Sequence, residues 1–294
     1  MRTESLLPGP LIGAEWLAAA LGAPGLVVLD TTVVGGTDAD GRRIWRSAAD
    51  RFASAHIPGA RFADQTEAFR DASVTYDLGK PTTAAFVAAC RALGIGDDDD
   101  VVVYDAGGAT WATRMWWLFR EFGHERVAVL DGGLPSWQAA GGAIETGTGP
   151  AVPSGDLEAH GSRGSYVEKS AVIAGLGGPA RLVCALPPAD FAGESTLRAR
   201  PGHIPGSLSI PAARLLDPDR GTFRSIDELR EVLAPLTDPT VEVVSYCGSG
   251  VSATGVAFAL ELLGRSDVKV YDGSLSEWAA DGDLPLELGP VAAV

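Results

Sequence analysis

A chain of 294 residues is long enough for two domains with a core each. Its 38 acidic against 23 basic residues, a formal charge of -15, argue against a nucleic-acid or anionic-membrane binder, while a locally positive pocket would still accept a small anion. The three cysteines, Cys90, Cys184 and Cys247, are too scattered for a disulfide framework and show no metal-ligand spacing, so a reducing compartment and no metal or cofactor are expected.

The opening stretch MRTESLLPGPLIGAEW lacks a basic head followed by a long apolar run, and no stretch approaches about 20 continuous apolar residues, so a soluble cytoplasmic protein is expected. The first apolar runs are residues 25–30 (GLVVLD), 100–105 (DVVVYD) and 126–131 (RVAVLD). The second half has residues 180–185 (ARLVCA), 241–247 (VEVVSYC) and 267–272 (DVKVYD). Near-continuous Val-rich runs of this length suit parallel strands buried on both faces. Helices are predicted between them at residues 82–94, 111–123, 225–236 and 253–264. Ser225 followed by Glu228 forms a capping-box pattern, and Gly94, Gly123 and Gly264 stand where helices would stop.

Two motifs recur in the same order. HIPGA at residues 56–60 returns as HIPGS at 203–207, and VLDGGLPSWQAAGG at 129–142 returns as VYDGSLSEWAADGD at 270–283. Nearly equal offsets, from 56 to 203 and from 129 to 270, predict a duplicated domain. The Gly-, Pro- and Ser-rich segment 144–165 between the copies has no apolar periodicity and suits a surface linker. The expected division is residues 1–143, a linker at 144–165, and residues 166–294, each domain being a mainly parallel sheet with helices on both faces.

Cys247 stands where the run VEVVSY ends and is followed by Gly248, Ser249, Gly250, Val251 and Ser252 before the next helix. Ligands of open parallel sheets sit beyond the carboxyl ends of the strands. A glycine-containing loop entering a helix turns backbone N–H groups and the positive dipole end toward such a site. The same setting in the first domain, at an offset of 142, carries Asp105. A carboxylate there would fill its own amide nest, which predicts a non-catalytic first domain. Cys90, inside an apolar helix, and Cys184, inside a strand, are expected to be core residues.

Several thiolate chemistries fail at this loop. A cysteine phosphatase needs an arginine six residues on, where Ala253 stands; a dithiol motif needs a second cysteine at position 250, which is Gly250. Acyl transfer needs a paired histidine base, and the sequence pairs neither His56 nor His203 with Cys247. Sulfur transfer fits, because an anionic outer sulfur is held by backbone donors and would be obstructed by bulky side chains.

The opening segment LIGAEWLAAALGAPGLVVLD, both HIPG units, WWLFREFGHERVAVLDGGLPSWQAAGG, CGSGVSAT and VYDGSLSEWAADG together resemble the two-domain rhodanese-type sulfurtransferases over nearly the whole chain. The resemblance implies two tandem rhodanese-like domains with a persulfide-forming Cys247 in the second and an acidic residue, Asp105, at the equivalent place in the first. It implies a sulfur donor, 3-mercaptopyruvate or thiosulfate, and a thiol, cyanide or protein acceptor. The uncharged loop is similar to the 3-mercaptopyruvate branch. One segment departs from the family: CALPPADFAG places Cys184, Leu186 and Asp190 where Asp, Arg and Arg are usual. Arg198 and Arg200 are therefore the expected substrate-binding cations, with Asp190 expected to repel an anionic donor. The paired HIPG units point to turn-fixing roles for His56 and His203. The family's proposed Asp, His and Ser relay would here involve His56 and Ser249, with Asp50 and Asp64 both nearby. The competing reading is a degenerate member that binds or regulates.

Overall fold

The structure, a computed structural model, describes residues 4–39, 43–195 and 200–289. The first half runs β1 (Leu11–Ile12), α1 (Ala14–Ala20), β2 (Leu26–Asp30), β3 (Val33–Thr37), β4 (Arg43–Ser47), α2 (Ala49–Ser54), β5 (Arg61–Phe62), α3 (Thr83–Ala92), β6 (Asp100–Tyr104), α4 (Thr110–Glu121), β7 (Val127–Leu130) and α5 (Gly133–Ala139). The second runs β8 (Tyr166–Val167), α6 (Lys169–Gly175), β9 (Arg181–Cys184), α7 (Pro188–Ala192), β10 (Leu208–Ser209), α8 (Ile226–Val232), β11 (Val243–Tyr246), α9 (Ala253–Leu262), β12 (Lys269–Tyr271) and α10 (Ser274–Trp278).

Two five-stranded parallel sheets result, ordered β5-β2-β6-β7-β1 and β10-β9-β11-β12-β8, which is one topology used twice. Alternation along the Val-rich strands sends side chains to both faces. In the first sheet Leu29, Val101, Val103 and Val129 pack toward α3 and α4, while Val28, Val102 and Leu130 pack toward Leu17 of α1, Phe52 of α2 and Trp137 of α5. The antiparallel hairpin β3–β4 has no counterpart among the described residues of the second half. It is Gly-rich and largely exposed, and no apolar run marks it in the sequence.

The expected punctuation is present. Ser225 and Glu228 form a reciprocal capping box, and Gly94, Gly123 and Gly264 all adopt positive φ just past helix ends. Each HIPG histidine is buried and turned inward: Nδ1 of His56 donates to Phe52 O and that of His203 to Phe191 O, both at 2.8 Å, and each ring stacks on the same phenylalanine. The following Ile57 and Ile204 amides donate to the hydroxyls of Tyr104 and Tyr246, the residues that close β6 and β11. The motif thus ties the entry of β5 or β10 to the central strand that carries the site.

Segment 144–165 contains no helix and runs against the first half through Gly155 N to Arg91 O, Leu157 N to Ile95 O and Arg163 N to Glu121 O. The two halves meet through α4 and α9, which occupy equivalent places. Thr113 and Thr254, related by the repeat offset of 141, share a 3.1 Å hydrogen bond there. Below this contact Asp272, just after β12, accepts from Lys80 N and Tyr76 Oη and lies 3.9 Å from the guanidinium of buried Arg114. Burial pushes the Asp272 carboxyl upward, partly offset by Arg114. These contacts fix one half against the other directly beneath the Cys247 loop.

Candidate active site

β11 ends at Tyr246, and Cys247 opens the loop that leads to α9. The loop's carbonyls are drawn away to other elements: Cys247 O accepts from Leu275 N, Gly248 O from both Ser276 N and Ser276 Oγ, and Val251 O from Thr254 N and Oγ1. With carbonyls pulled outward, the amides of the same peptides are directed the other way. The N–H groups of Gly248, Ser249, Val251 and Ser252 have no acceptor among the described residues, and all four residues line a cavity of about 430 Å³. Cys247 also lines it while remaining 2% exposed. Gly250 is required by the chain's path, since it has φ 69° and a Cβ there would meet Asp272 O at 2.5 Å. The ten-residue helix α9 starts immediately behind, adding its positive end to the site.

The first half has the same construction with a different occupant. Asp105, 1% exposed, accepts from the amides of Gly107 at 2.9 Å, Trp111 at 3.0 Å and Ala112 at 3.2 Å. Its own carboxylate fills the nest.

Sequence reasoning missed Ser274. Its hydroxyl oxygen accepts from Cys247 N at 3.0 Å and Gly250 N at 3.1 Å and donates to Tyr271 O at 2.8 Å. It is a fully buried non-glycine residue with φ 48°, whereas its repeat partner Gly133 has φ 57°. A serine in left-handed backbone is costly, and the two loop amides it collects are what that strain supports. The signal was in the aligned repeats, where VLDGG meets VYDGS.

The cavity lies between the halves. On one side stand Ala185, Leu186, Pro187 and Pro211; on the other stand Arg43 and Trp45 of β4, Asp77, Thr110 and Trp111. Leu186 therefore faces the site from a position where an arginine was the family expectation. Cys184 is buried in the core, its strand position paired with Tyr246, and does not line the cavity. Asp190 is nearly buried on α7 and is not part of the cavity wall, which corrects the expectation that it opposes the donor. Arg200 is likewise corrected: its guanidinium donates to Asp281 O and, at 2.6 Å, to Leu284 O, so it pins the C-terminal segment and does not reach the cavity wall. Arg198 lies outside the described residues. His56 is enclosed, with Nε2 3.9 Å from Glu145, and is not at the cavity with Ser249; no relay is assembled.

The rhodanese-like domain profile matches residues 13–140 and 180–281, one match per half. This chain belongs to the rhodanese-like family. Among curated relatives, the 3-mercaptopyruvate sulfurtransferase of Escherichia coli K12 is 34% identical over 94% of this chain and 97% of that enzyme. The thiosulfate sulfurtransferase of Gallus gallus is also 34% identical, over 91% of this chain and 92% of that one. Among solved structures, SseA from Escherichia coli, a 3-mercaptopyruvate sulfurtransferase, superimposes with a TM-score of 0.80 at 32% identity, covering 90% of this chain and 98% of that one. The chain is a sulfurtransferase of this family. Both halves have the family fold, and among the described residues no helix is long and apolar enough to cross a membrane.

Burial pushes the Asp105 carboxyl up to about 6, against the opposing effect of the Gly107, Ala112 and Trp111 amides. Its folded pKa lies above its unfolded value, so this group favours folding fully at low pH and loses that contribution as pH rises through about 6. Wild-type melting temperature should therefore fall relative to that of Asp105→Asn between about pH 4 and 7. Parallel profiles would show that the nest keeps the carboxylate ionised throughout. At Ser274, Ser274→Ala and Ser274→Gly should each lower kcat for sulfur transfer by about tenfold or more, with little change in KM, because the loop loses its shared acceptor. Equal loss in both variants assigns the effect to the hydroxyl; activity retained by Ser274→Gly would assign it to backbone strain alone.

Proposed function

We propose that this chain moves sulfur from 3-mercaptopyruvate, in preference to thiosulfate, to a thiol or cyanide acceptor through a persulfide on Cys247. In this reading residues 1–143 form a non-catalytic domain, 144–165 a linker and 166–294 the catalytic domain. The carrying observation is the loop in which Cys247 stands at the strand end while the amides of Gly248, Ser249, Val251 and Ser252 have no acceptor among the described residues.

The thiolate attacks the donor sulfur, an S–S bond forms, and the C–S bond breaks with its electron pair leaving on carbon as the enolate of pyruvate. The thiol proton of the donor balances protonation of that enolate, so the net products are the persulfide anion and pyruvate. Inward amides and the α9 dipole stabilise the charge on the outer sulfur. The cavity wall, with Leu186, Pro187, Trp45 and Trp111, limits water around it. The acceptor thiolate or cyanide then takes the outer sulfur and regenerates Cys247. Small side chains around the cysteine leave room for that second attack.

Donor preference follows from charge. Among the described residues the cavity wall carries one cation and one carboxylate, Arg43 and Asp77, a balance that suits a monoanion better than the thiosulfate dianion. The names of the relatives above support both donors. The three free cysteines and the acidic net charge support a small-molecule reaction in the cytoplasm, with no nucleic acid or membrane partner.

After incubation with 3-mercaptopyruvate and desalting, intact mass should rise by one sulfur, revert with excess thiol, and stay unchanged in Cys247→Ser. Steady-state kcat/KM with a common acceptor should favour 3-mercaptopyruvate. Thiosulfate ahead by more than about tenfold would overturn the donor assignment. A loaded protein that passes sulfur to no small acceptor would favour a binding or regulatory role.

A further inference from the structure

Sulfur-donor recognition needs positive charge near an otherwise apolar cavity, and the second half does not supply it from the expected strand end. There the wall is Leu186 followed by Pro187 and Pro188. Arg200 is committed to the carbonyls of Asp281 and Leu284. Arg43 is the cation among the described residues that line the cavity, and it comes from the first half, on the hairpin β3–β4, which has no equivalent among the described residues of the second half.

That arginine is held at the mouth by its own strand. Its guanidinium lies 5.5 Å from the Trp45 ring centroid, and Trp45 meets Trp111 edge to face at 5.0 Å. Trp45, itself packed on Trp111, thus lies against the guanidinium while leaving its N–H fork unused by the ring contact. No carboxylate among the described residues pairs with it. A planar guanidinium matches a carboxylate through two parallel hydrogen bonds, a geometry that a lysine ammonium cannot reproduce.

We propose that Arg43 is the residue that binds the carboxylate of the sulfur donor, so that the first half supplies the anion-recognising group for a cysteine in the second. The assignment rests on the sulfur-transfer reading above. It gives the otherwise non-catalytic half a direct part in substrate choice, and it gives the hairpin a role beyond packing Val33 and Trp45 against Trp111 and Val251. Asp77, the carboxylate on the same wall, opposes the donor and sets an upper limit on how much negative charge is accepted.

The test compares two donors that share a thiol and a ketone but differ in charge: 3-mercaptopyruvate and uncharged mercaptoacetone. Single-turnover sulfur loading is followed by intact mass in wild type, Arg43→Ala, Arg43→Lys, Asp77→Asn, Arg198→Ala and the neighbouring Arg46→Ala, whose residue is not part of this cavity wall. Arg43→Ala should slow loading from 3-mercaptopyruvate by at least about tenfold at low donor, with the loss in half-saturating concentration, and leave mercaptoacetone unchanged. Arg43→Lys should recover part of the loss, Asp77→Asn should tighten the anionic donor, and Arg46→Ala should match wild type. Arg43→Ala equal to wild type with 3-mercaptopyruvate, or equally slow with both donors, overturns the assignment. So does a charge-selective loss confined to Arg198→Ala. Failure of the wild type to load at Cys247 with either donor would instead remove the sulfur-transfer reading on which it rests.

Discussion

A peptide group has an N–H on one side and a carbonyl on the other, so a loop can present its amides inward only if its carbonyls find donors outside. Everything distinctive about this molecule follows from meeting that condition around Cys247. The start of α10 collects the carbonyls of Cys247 and Gly248, the first turn of α9 collects that of Val251, and Ser274 takes the two amides that would otherwise compete. The amides of Gly248, Ser249, Val251 and Ser252 are left without an acceptor among the described residues. In the first half the same problem has a static solution, a buried carboxylate that fills the nest from within. The duplicated fold thus carries one nest filled by its own carboxylate and one whose amides have no acceptor among the described residues.

The occupied copy is more than a remnant. Its helix α4 packs against α9, and Thr113 and Thr254 touch at equivalent positions. Asp272, whose carbonyl lies close enough to Gly250 to leave no room for a Cβ there, is held by Lys80 and Tyr76 from the first half. The Cys247 loop therefore packs beside a residue anchored by the first half and shares its cavity with wall residues from that half. A second half cut away from the first would lose Trp45, Trp111 and Arg43 from the site together.

Much of this was legible in the sequence because buried parallel strands leave an unambiguous apolar signature, and because a repeat aligns every element with a copy of itself. The central strands, the long helices, their glycine stops and the Cys247 loop all belong to that class. The edge strands β1, β5, β8 and β10 are two residues each, too short to carry a period. The hairpin β3–β4 escaped notice because its exposed strands contain no apolar run, and Arg43 escaped with it. Arg200 is not legible for a different reason: closeness to a motif along the chain does not say where a long side chain goes, and here the Asp281 and Leu284 carbonyls hold it. Ser274 was visible only as a difference between two copies that otherwise agree.

Amide chemical shifts of the nitrogen-15-labelled protein, recorded before and after loading with one sulfur, test most directly whether backbone donors hold that sulfur. The resonances of Gly248, Ser249, Val251 and Ser252 should move downfield in the proton dimension as they gain an anionic acceptor. Those of Cys247 and Gly250 should move less, because Ser274 already serves them. Gly107, Trp111 and Ala112, already bound to Asp105, should not respond. A loaded protein whose loop amides stay in place would contradict the account, since its sulfur would then be held by side chains or by solvent.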